Sequence, residues 1–261
     1  MKFRDVVETL ERFAPLPLQE DYDNAGLQIG LTEADILTGV LVCLDITPAV
    51  IEEAAARGCN VVVSHHPLLF HGLKCVSDST MIGRCVRLAI EKHVGLYSAH
   101  TNLDNARGGV CFAMGERIGL RDMEFLIPQT DGRNGGSGLI GSLPEPEEPA
   151  AFLARMKSVF GVERLPHSRG PQQPIRRVAL CGGGGDFLID EAARQGADAY
   201  LTGEVHYHRY FGYEDRMWIA ALGHYESEHC AVELLRSIIS KNLPDLKVVE
   251  SEKGINPIQY I

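Results

Sequence analysis

Two stretches decide the fold: VLVCLDITPAVIEEAAARGCNVVVSHH, Val40 to His66, and VALCGGGGDFLIDEAARQGADAYLTGE, Val178 to Glu204. Each reads as a short apolar strand, a helix and a second apolar strand, the βαβ pattern of a parallel sheet. Val178 stands 138 positions after Val40, and at that offset the stretches align without a gap. Cys43 then meets Cys181, Glu53 meets Glu191, Ala54 and Ala55 meet Ala192 and Ala193, Gly58 meets Gly196, and Ser64 meets Thr202. Any two βαβ units share some composition, so the next strand carries more weight. GLYSAH ends at His100 and IAALGH ends at His224, an offset of 124. Four residues further on stand Asp104 and Glu228. A His-x-x-x-carboxylate pair thus closes the same strand in both copies, and in open α/β sheets ligands bind at the C-terminal strand ends.

Working outward, the spacing predicts a helix over 3–13, a strand over 26–30 and a strand over 40–45. A helix follows from Pro48 to Arg57, closed by Gly58. Strands are expected at 61–64 and 94–99, with helices at about 80–92 and 108–118. Residues 31–39 read as a loop, and the Gly-rich run 129–138 reads as a loop or boundary. Beyond it the pattern gives a short strand at 139–143, a helix at 148–160 and a loop at 170–174. Strands follow at 177–181, 199–202 and 218–222, with helices at 187–195, about 206–215 and 226–240. The expected fold is α/β: two intertwined, structurally repeated α/β units with mixed, mostly parallel sheets. The division is placed at residues 1–128 and 129–261, with a metal site between the repeats.

The chain has 261 residues, 35 acidic against 25 basic, for a formal charge of −10. Apolar residues make up 45% and charged residues 23%, a globular rather than disordered balance. The acidity argues against nucleic acid as a partner, since phosphate-backbone binders carry basic patches. No apolar run approaches the roughly 20 residues of a membrane span, and the first residues form an amphipathic charged pattern, not a signal peptide. Seven cysteines without a CxxC pair read as reduced, mostly buried thiols, and a cytoplasmic location is expected.

The ten histidines carry the chemistry. His65 and His66 end a strand just before Pro67, where the chain leaves the pleat and both rings can turn into one pocket. With His100, Asp104, His224 and Glu228 they make four imidazoles and two carboxylates. That is too many donors for one tetrahedral ion and suits two divalent ions about 3.5–4 Å apart. Zinc, manganese, iron, cobalt and nickel all accept such a mixed set. Glu204 aligns with His66 and is the candidate catalytic group: a proton carrier, a substrate contact or a group acting behind the ligands, against the simpler reading of a solvated helix start. Asn24, His206 and His208 are further candidates for positioning or substrate contact. CGGGGD, Cys181 to Asp186, reads as a tight strand-to-helix turn, with an anion nest as the weaker alternative because no P-loop Lys-Ser/Thr follows.

Six motifs in order resemble the Nif-type dinuclear-metal-centre hexameric proteins, often labelled GTP cyclohydrolase I type 2 homologues. They are DYDNAGLQIG (Asp21 to Gly30), SHHPLLF (Ser64 to Phe70), SAHTNLDNARGGV (Ser98 to Val110), ALCGGGGDF (Ala179 to Phe187), TGEVHYH (Thr202 to His208) and GHYESEH (Gly223 to His229). The resemblance implies two divalent ions per chain on residues matching His65, His66, His100, Asp104, His224 and Glu228. It also implies a ring-shaped homohexamer. The chain is similar to the short members that lack a large insertion between the halves. A metal-dependent hydrolase, opening a ring as a GTP cyclohydrolase does or cleaving a phosphoester of a small molecule, is the leading expectation. The alternative is a non-catalytic metal-binding scaffold or a regulatory, partner-docking protein.

Overall fold

The computed structural model describes residues 1–30, 36–130 and 132–261. The first five positions of the loop expected at 31–39, and residue 131 of the Gly-rich run, lie outside the described residues. The chain divides into two compact units, one of 1–106 and 231–259, the other of 107–230 and 260–261. The division expected from the sequence lay at 128/129. The segment 121–128 pairs with the second sheet, and the C-terminal segment returns to the first.

The first unit contains α1 (Phe3–Phe13), β1 (Gly26–Ile29), β2 (Val40–Cys43), α2 (Pro48–Ala56), β3 (Val61–Ser64), α3 (Met81–Glu91), β4 (Gly95–Ser98) and α4 (Thr101–Asp104). The second contains α5 (Val110–Arg117), β5 (Arg121–Pro128), β6 (Gly136–Glu147), α6 (Pro149–Val159), β7 (Ile175–Cys181), α7 (Ile189–Arg194), β8 (Ala199–Thr202), β9 (Trp218–Ala221) and α8 (His224–Glu228). Helix α9 (Cys230–Asn242) begins at the boundary and leads to β10 (Val248–Glu250) in the first unit.

Local chemistry explains the helix ends. Thr47 caps α2 by accepting from the Val50 amide at 3.3 Å, with Pro48 in the first turn, where its missing N–H costs nothing. Gly58 takes φ +68° after that helix, a conformation that other residues adopt at a cost. Thr80 caps α3 in the same way through the Gly83 amide at 3.0 Å. In α1, Phe3, Val6 and Leu10 recur at helical spacing and are buried.

The first sheet has the order β1-β4-β3-β2-β10, antiparallel only at β1–β4. All four residues of β2, of β3 and of β4 are buried, as expected for parallel strands covered on both faces. Their side chains pack with Val50, Ile51, Cys85, Ala89 and neighbours into one core. The second sheet has the order β5-β6-β7-β8-β9 and is parallel only over β7–β8–β9. Its core gathers Leu126, Ile140, Leu188, Ile189, Tyr200 and Ile219.

The repeat holds at the level of hydrogen-bond register. Val40 pairs with Val61 and Cys43 with Ser64; Val178 pairs with Ala199 and Cys181 with Thr202, the same partners 138 residues on. The third strand refines the offset. Ser64 pairs with Ser98, and Thr202 pairs with Ala221, an offset of 123 rather than 124. The extra residue falls between β9 and His224, where Gly223 takes φ +93°. In consequence His100 precedes its helical turn as the capping position, while His224 is the first residue of its own.

Several boundaries differ from expectation. The short strand expected at 139–143 is the middle of the twelve-residue β6, and its partner β5 went unassigned because Arg121, Asp122 and Glu124 put charge on three exposed positions at its start. The helix expected at 206–215 is a single 3-10 turn, Tyr207–Tyr210. The long helix expected at 226–240 splits into α8 and α9. Strand β10 is three half-buried residues, too short for a periodic signal. All seven cysteines are free, five of them buried. No helix among the described residues is long and apolar enough to cross a membrane.

Candidate metal centre

In the first unit the functional side chains leave the C-terminal ends of β3 and β4, as the strand-end rule requires. The Ser64 hydroxyl bonds the His66 carbonyl oxygen at 2.7 Å, turning the chain as the strand ends. Adjacent imidazoles that would point to opposite faces of a pleat then lie side by side, ring centroids 5.0 Å apart. His100 closes the group, 5.3 Å from His65 and 5.5 Å from His66 by centroid. His65, His66 and His100 offer ring nitrogens that all lie within 4.8 Å of one another, a spacing able to hold a metal ion.

What each ring does with its other nitrogen is as informative. His65 Nδ1 donates to the Ala99 carbonyl at 2.8 Å, His66 Nδ1 to the Asp45 carboxylate at 2.8 Å, and His100 Nδ1 to the Asp23 carboxylate at 2.7 Å. An acceptor on Nδ1 fixes the proton there and leaves Nε2 with its lone pair. This is the arrangement by which metal-binding histidines are aimed. Asp104 brings a carboxylate oxygen to 3.6 Å from His65 Nε2. The donor chemistry of the first unit therefore fits a divalent transition ion.

Asp23 is the most constrained member. Its side chain is fully covered, and it accepts from His100, from the Asn24 amide at 2.7 Å and from the Thr101 amide at 3.1 Å. Burial pushes its pKa up, but the hydrogen bonds from His100 and Thr101 outweigh it and the carboxyl is held down at about 2. Sequence reasoning passed over Asp23 and Asp45. The signal was present in Asp45, an acid just past a strand end; Asp23 sits in a loop motif whose reach to His100 spans 77 residues.

In the second unit His224 and Glu228 leave β9 one helical turn apart. His224 Nε2 lies 3.0 Å from a Glu228 oxygen, and His224 Nδ1 lies 3.3 Å from Glu204 Oε1. Glu228 is 4% exposed, although it is a carboxylate. The glycine run explains how it fits. Gly183 has φ +56°, and a Cβ there would meet Glu228 Oε1 at 2.2 Å; one on Gly182 would meet Glu228 Cγ at 3.0 Å. The Gly183 amide donates to Ser227 Oγ at 3.1 Å and the Gly185 amide to Thr202 Oγ1 at 3.0 Å. Two of the run's amides are thus committed to side chains of β8 and α8, and CGGGGD is a close-approach turn beside Glu228.

The remaining candidates separate. Glu204 sits against His224 Nδ1, the position Asp23 and Asp45 hold on their own imidazoles, so its contact orients a ring. His206 is bound through Nδ1 to Asp186 at 2.6 Å with its side chain 88% exposed. His208 is exposed and packs edge-on to Tyr207 and obliquely to Phe211. Asn24 donates to the Leu69 carbonyl at 2.6 Å, tying two loops of the first unit together.

Fold and site together define an α/β protein of two repeated units with a strand-end histidine–carboxylate cluster suited to a metal. The chain belongs to the Duf34/NIF3 (NGG1p interacting factor 3) family, whose model matches residues 1–257. It is 30% identical over 263 residues to a Clostridium perfringens protein named GTP cyclohydrolase 1 type 2 homolog, covering 100% of both chains. A Nostoc protein of the same name is 36% identical over 252 residues, 91% of this chain and 92% of the relative. The crystal structure of a Staphylococcus aureus hypothetical protein superimposes with a TM-score of 0.92 at 26% identity, covering 100% of this chain and 99% of that one.

Proposed function

We propose that this protein is a divalent-metal-dependent hydrolase that holds two ions per chain. The first unit would supply His65, His66, His100 and Asp104, and the second His224 and Glu228. The observation that carries the reading is the set of three imidazoles in the first unit, each anchored through Nδ1 so that its Nε2 is left to bind. A bound divalent ion supplies there a Lewis acid and a water whose pKa falls towards neutrality. The chain's own residues do the rest. Asp23, Asp45 and the Ala99 carbonyl hold the rings in one tautomer, and Glu204 holds His224. Glu204 is also exposed beside that ring and would take a proton from an attacking water. The relatives' name supports ring opening at a carbon of a nitrogen heterocycle as the reaction; phosphoester cleavage is the second reading, favoured by what two-metal sites do generally.

Self-association into a hexamer and a cytoplasmic location belong to the same proposal. Sedimentation tests the first, and fractionation of cells expressing the protein at native level tests the second. For the activity, protein purified without chelator is assayed for metal by elemental analysis and screened against nucleosides, nucleotides and phosphoesters. The expected result is close to two ions per chain and a turnover lost in His65→Ala. Full metal content with no turnover anywhere in the screen would favour the non-catalytic scaffold. A metal content near zero would remove both.

A further inference from the structure

Beside His100 the first unit carries an open cavity of about 640 Å³. That volume lies in the range of small-molecule sites. One wall is aromatic: Phe70 stands edge-on to His100 at 6.1 Å, against His71 at 4.9 Å, and tilted to Tyr22 at 6.4 Å. Ile29, Leu73, Val76 and Val86 make the rest largely apolar. Leu73 and Val76 are 40% and 48% exposed, so this apolar lining opens to solvent. The floor is fixed in advance. Asn24 Nδ2 donates to the Leu69 carbonyl at 2.6 Å, and Gln28 Oε1 accepts from the Leu69 amide at 3.0 Å, so both backbone groups of Leu69 are clamped. Gln28 Nε2 in turn donates to the Asn24 carbonyl at 2.8 Å.

The polar residues of the lining are Asp23, Asn24, Gln28 and His71. The Asp23 carboxylate is covered by its bonds to His100 and Thr101, while exposed Asn24 has Oδ1 as an acceptor and one N–H beyond that given to Leu69. No lysine or arginine is among the lining residues. An anion placed there has no ammonium or guanidinium of the lining to pair with, and a covered carboxylate lies close behind, in a chain of net charge −10.

We propose that this cavity is the organic-ligand subsite of the metal centre and takes an uncharged heteroaromatic ring whose hydrogen-bond donors face Asn24, with the ring face against Phe70. A triphosphate would find no lysine or arginine of the lining to pair with, which favours a base, a nucleoside or a comparable uncharged ring. This deepens the proposed hydrolase and rests on it for the role of the site, not for the cavity's chemistry.

The test is binding, measured by calorimetry and by saturation-transfer NMR on the full chain, both metal-loaded and chelator-treated. The probes are guanosine, adenosine, uridine and nicotinamide, with GMP and GTP to vary charge on one ring. At least one uncharged ring should bind the chelator-treated protein with a Kd below about 1 mM. Phe70→Ala should weaken it about 2- to 12-fold through the lost stacking. GTP should bind the same metal-free protein more weakly than guanosine. Val76→Lys, at an exposed position of the lining, should tighten GMP relative to guanosine. Failure of every uncharged probe, tighter binding of GTP than guanosine without metal, or no effect of Phe70→Ala would each overturn the proposal. If the rings bind as expected but nothing is hydrolysed, the hydrolase reading fails while the subsite stands.

Discussion

Replacing Asp23 separates a residue that positions a ligand from one that merely neighbours it. The Asp23 side chain is fully covered and holds His100 Nδ1 at 2.7 Å and the Thr101 amide at 3.1 Å. In Asp23→Ala the His100 ring and the Thr101 amide lose their acceptor, at about 1–3 kcal/mol each, so the variant should lose about 2–6 kcal/mol of stability. Asp23→Asn is the cleaner probe. It keeps the shape and one carbonyl acceptor but removes the charge behind His100. Loss of a carboxylate behind a metal-binding imidazole costs about 10–100-fold in metal affinity, or about 1.4–2.7 kcal/mol. Asp45→Asn provides the internal scale. Asp45 makes the equivalent bond to His66 at 2.8 Å, but its side chain is 50% exposed, so water can replace it. Its effect should be less than about tenfold, because exposed ion pairs contribute about 0–1 kcal/mol. The assay is competition with a chromophoric chelator for Zn²⁺ and Mn²⁺, with circular dichroism to show that each variant is folded. Equal metal affinity in folded Asp23→Asn and the unaltered protein would refute the orienting role. An Asp45 effect as large as that of Asp23 would refute the argument from burial.

Three other outcomes are expected. Gly183→Ala places a Cβ 2.2 Å from Glu228 Oε1 at φ +56° and should lower stability by about 1–3 kcal/mol in thermal melts, whereas Gly184→Ala, with nothing within 4 Å, should stay within about 0.5 kcal/mol; equal melting would contradict the close-approach reading. Glu53 accepts from the Ser251 hydroxyl and from the Glu252 and Lys253 amides; burial raises its pKa, but these bonds and Arg57 hold it below the usual 4.5. Because the folded pKa is depressed, its contribution is complete above pH about 4.5 and drains as pH falls through the folded value. Urea melts at pH 7 and pH 4 should therefore differ less in Glu53→Gln than in the unaltered protein, and an unchanged difference would count against this. Chelation of metal-loaded protein should lower the melting temperature by about 5–10 °C if metal was present at about a hundred times its Kd, since binding at that level adds about 2.7 kcal/mol; no shift would mean that the folded protein holds no metal.

The parts of the fold legible in the sequence were those governed by local periodicity and by internal comparison. β3 at 61–64 and β8 at 199–202 fall where the apolar runs place them, because four-residue buried strands bounded by turns leave little freedom. The offset of 138 between the repeats reappears as hydrogen-bond register because equal spacing in sequence becomes equal pairing in a parallel sheet. What escaped was set at long range. β10 reaches β2 across about 200 residues, and only its pairing with Val40–Val42 makes it a strand. At the candidate site the histidines were legible from their strand ends, whereas Asp23 was not, since no local rule links a loop aspartate to an imidazole 77 residues away.

The two repeats also show how one task can be met from different positions. An imidazole that is to bind through Nε2 needs an acceptor on Nδ1. In the first unit His65 takes the Ala99 carbonyl, His66 takes Asp45 and His100 takes Asp23. The second unit carries glutamate at position 204, where the alignment calls for the counterpart of His66, and glycine at 203, where it calls for that of His65. Glu204 faces His224 Nδ1, so the position that bears a ring in one copy orients a ring in the other. Gly203 follows from the same divergence: a Cβ there would meet the Gly183 carbonyl and Ser227 Oγ at 2.7 Å, crowding the turn against which Glu228 lies. The first copy thus concentrates nitrogen donors, while the second gives up two of them to seat one buried carboxylate beside one imidazole. Restoring a histidine through Glu204→His tests this division of labour. It should weaken metal binding, not strengthen it, because His224 would lose its acceptor; tighter binding would mean that position 204 can serve as a ligand in its own right.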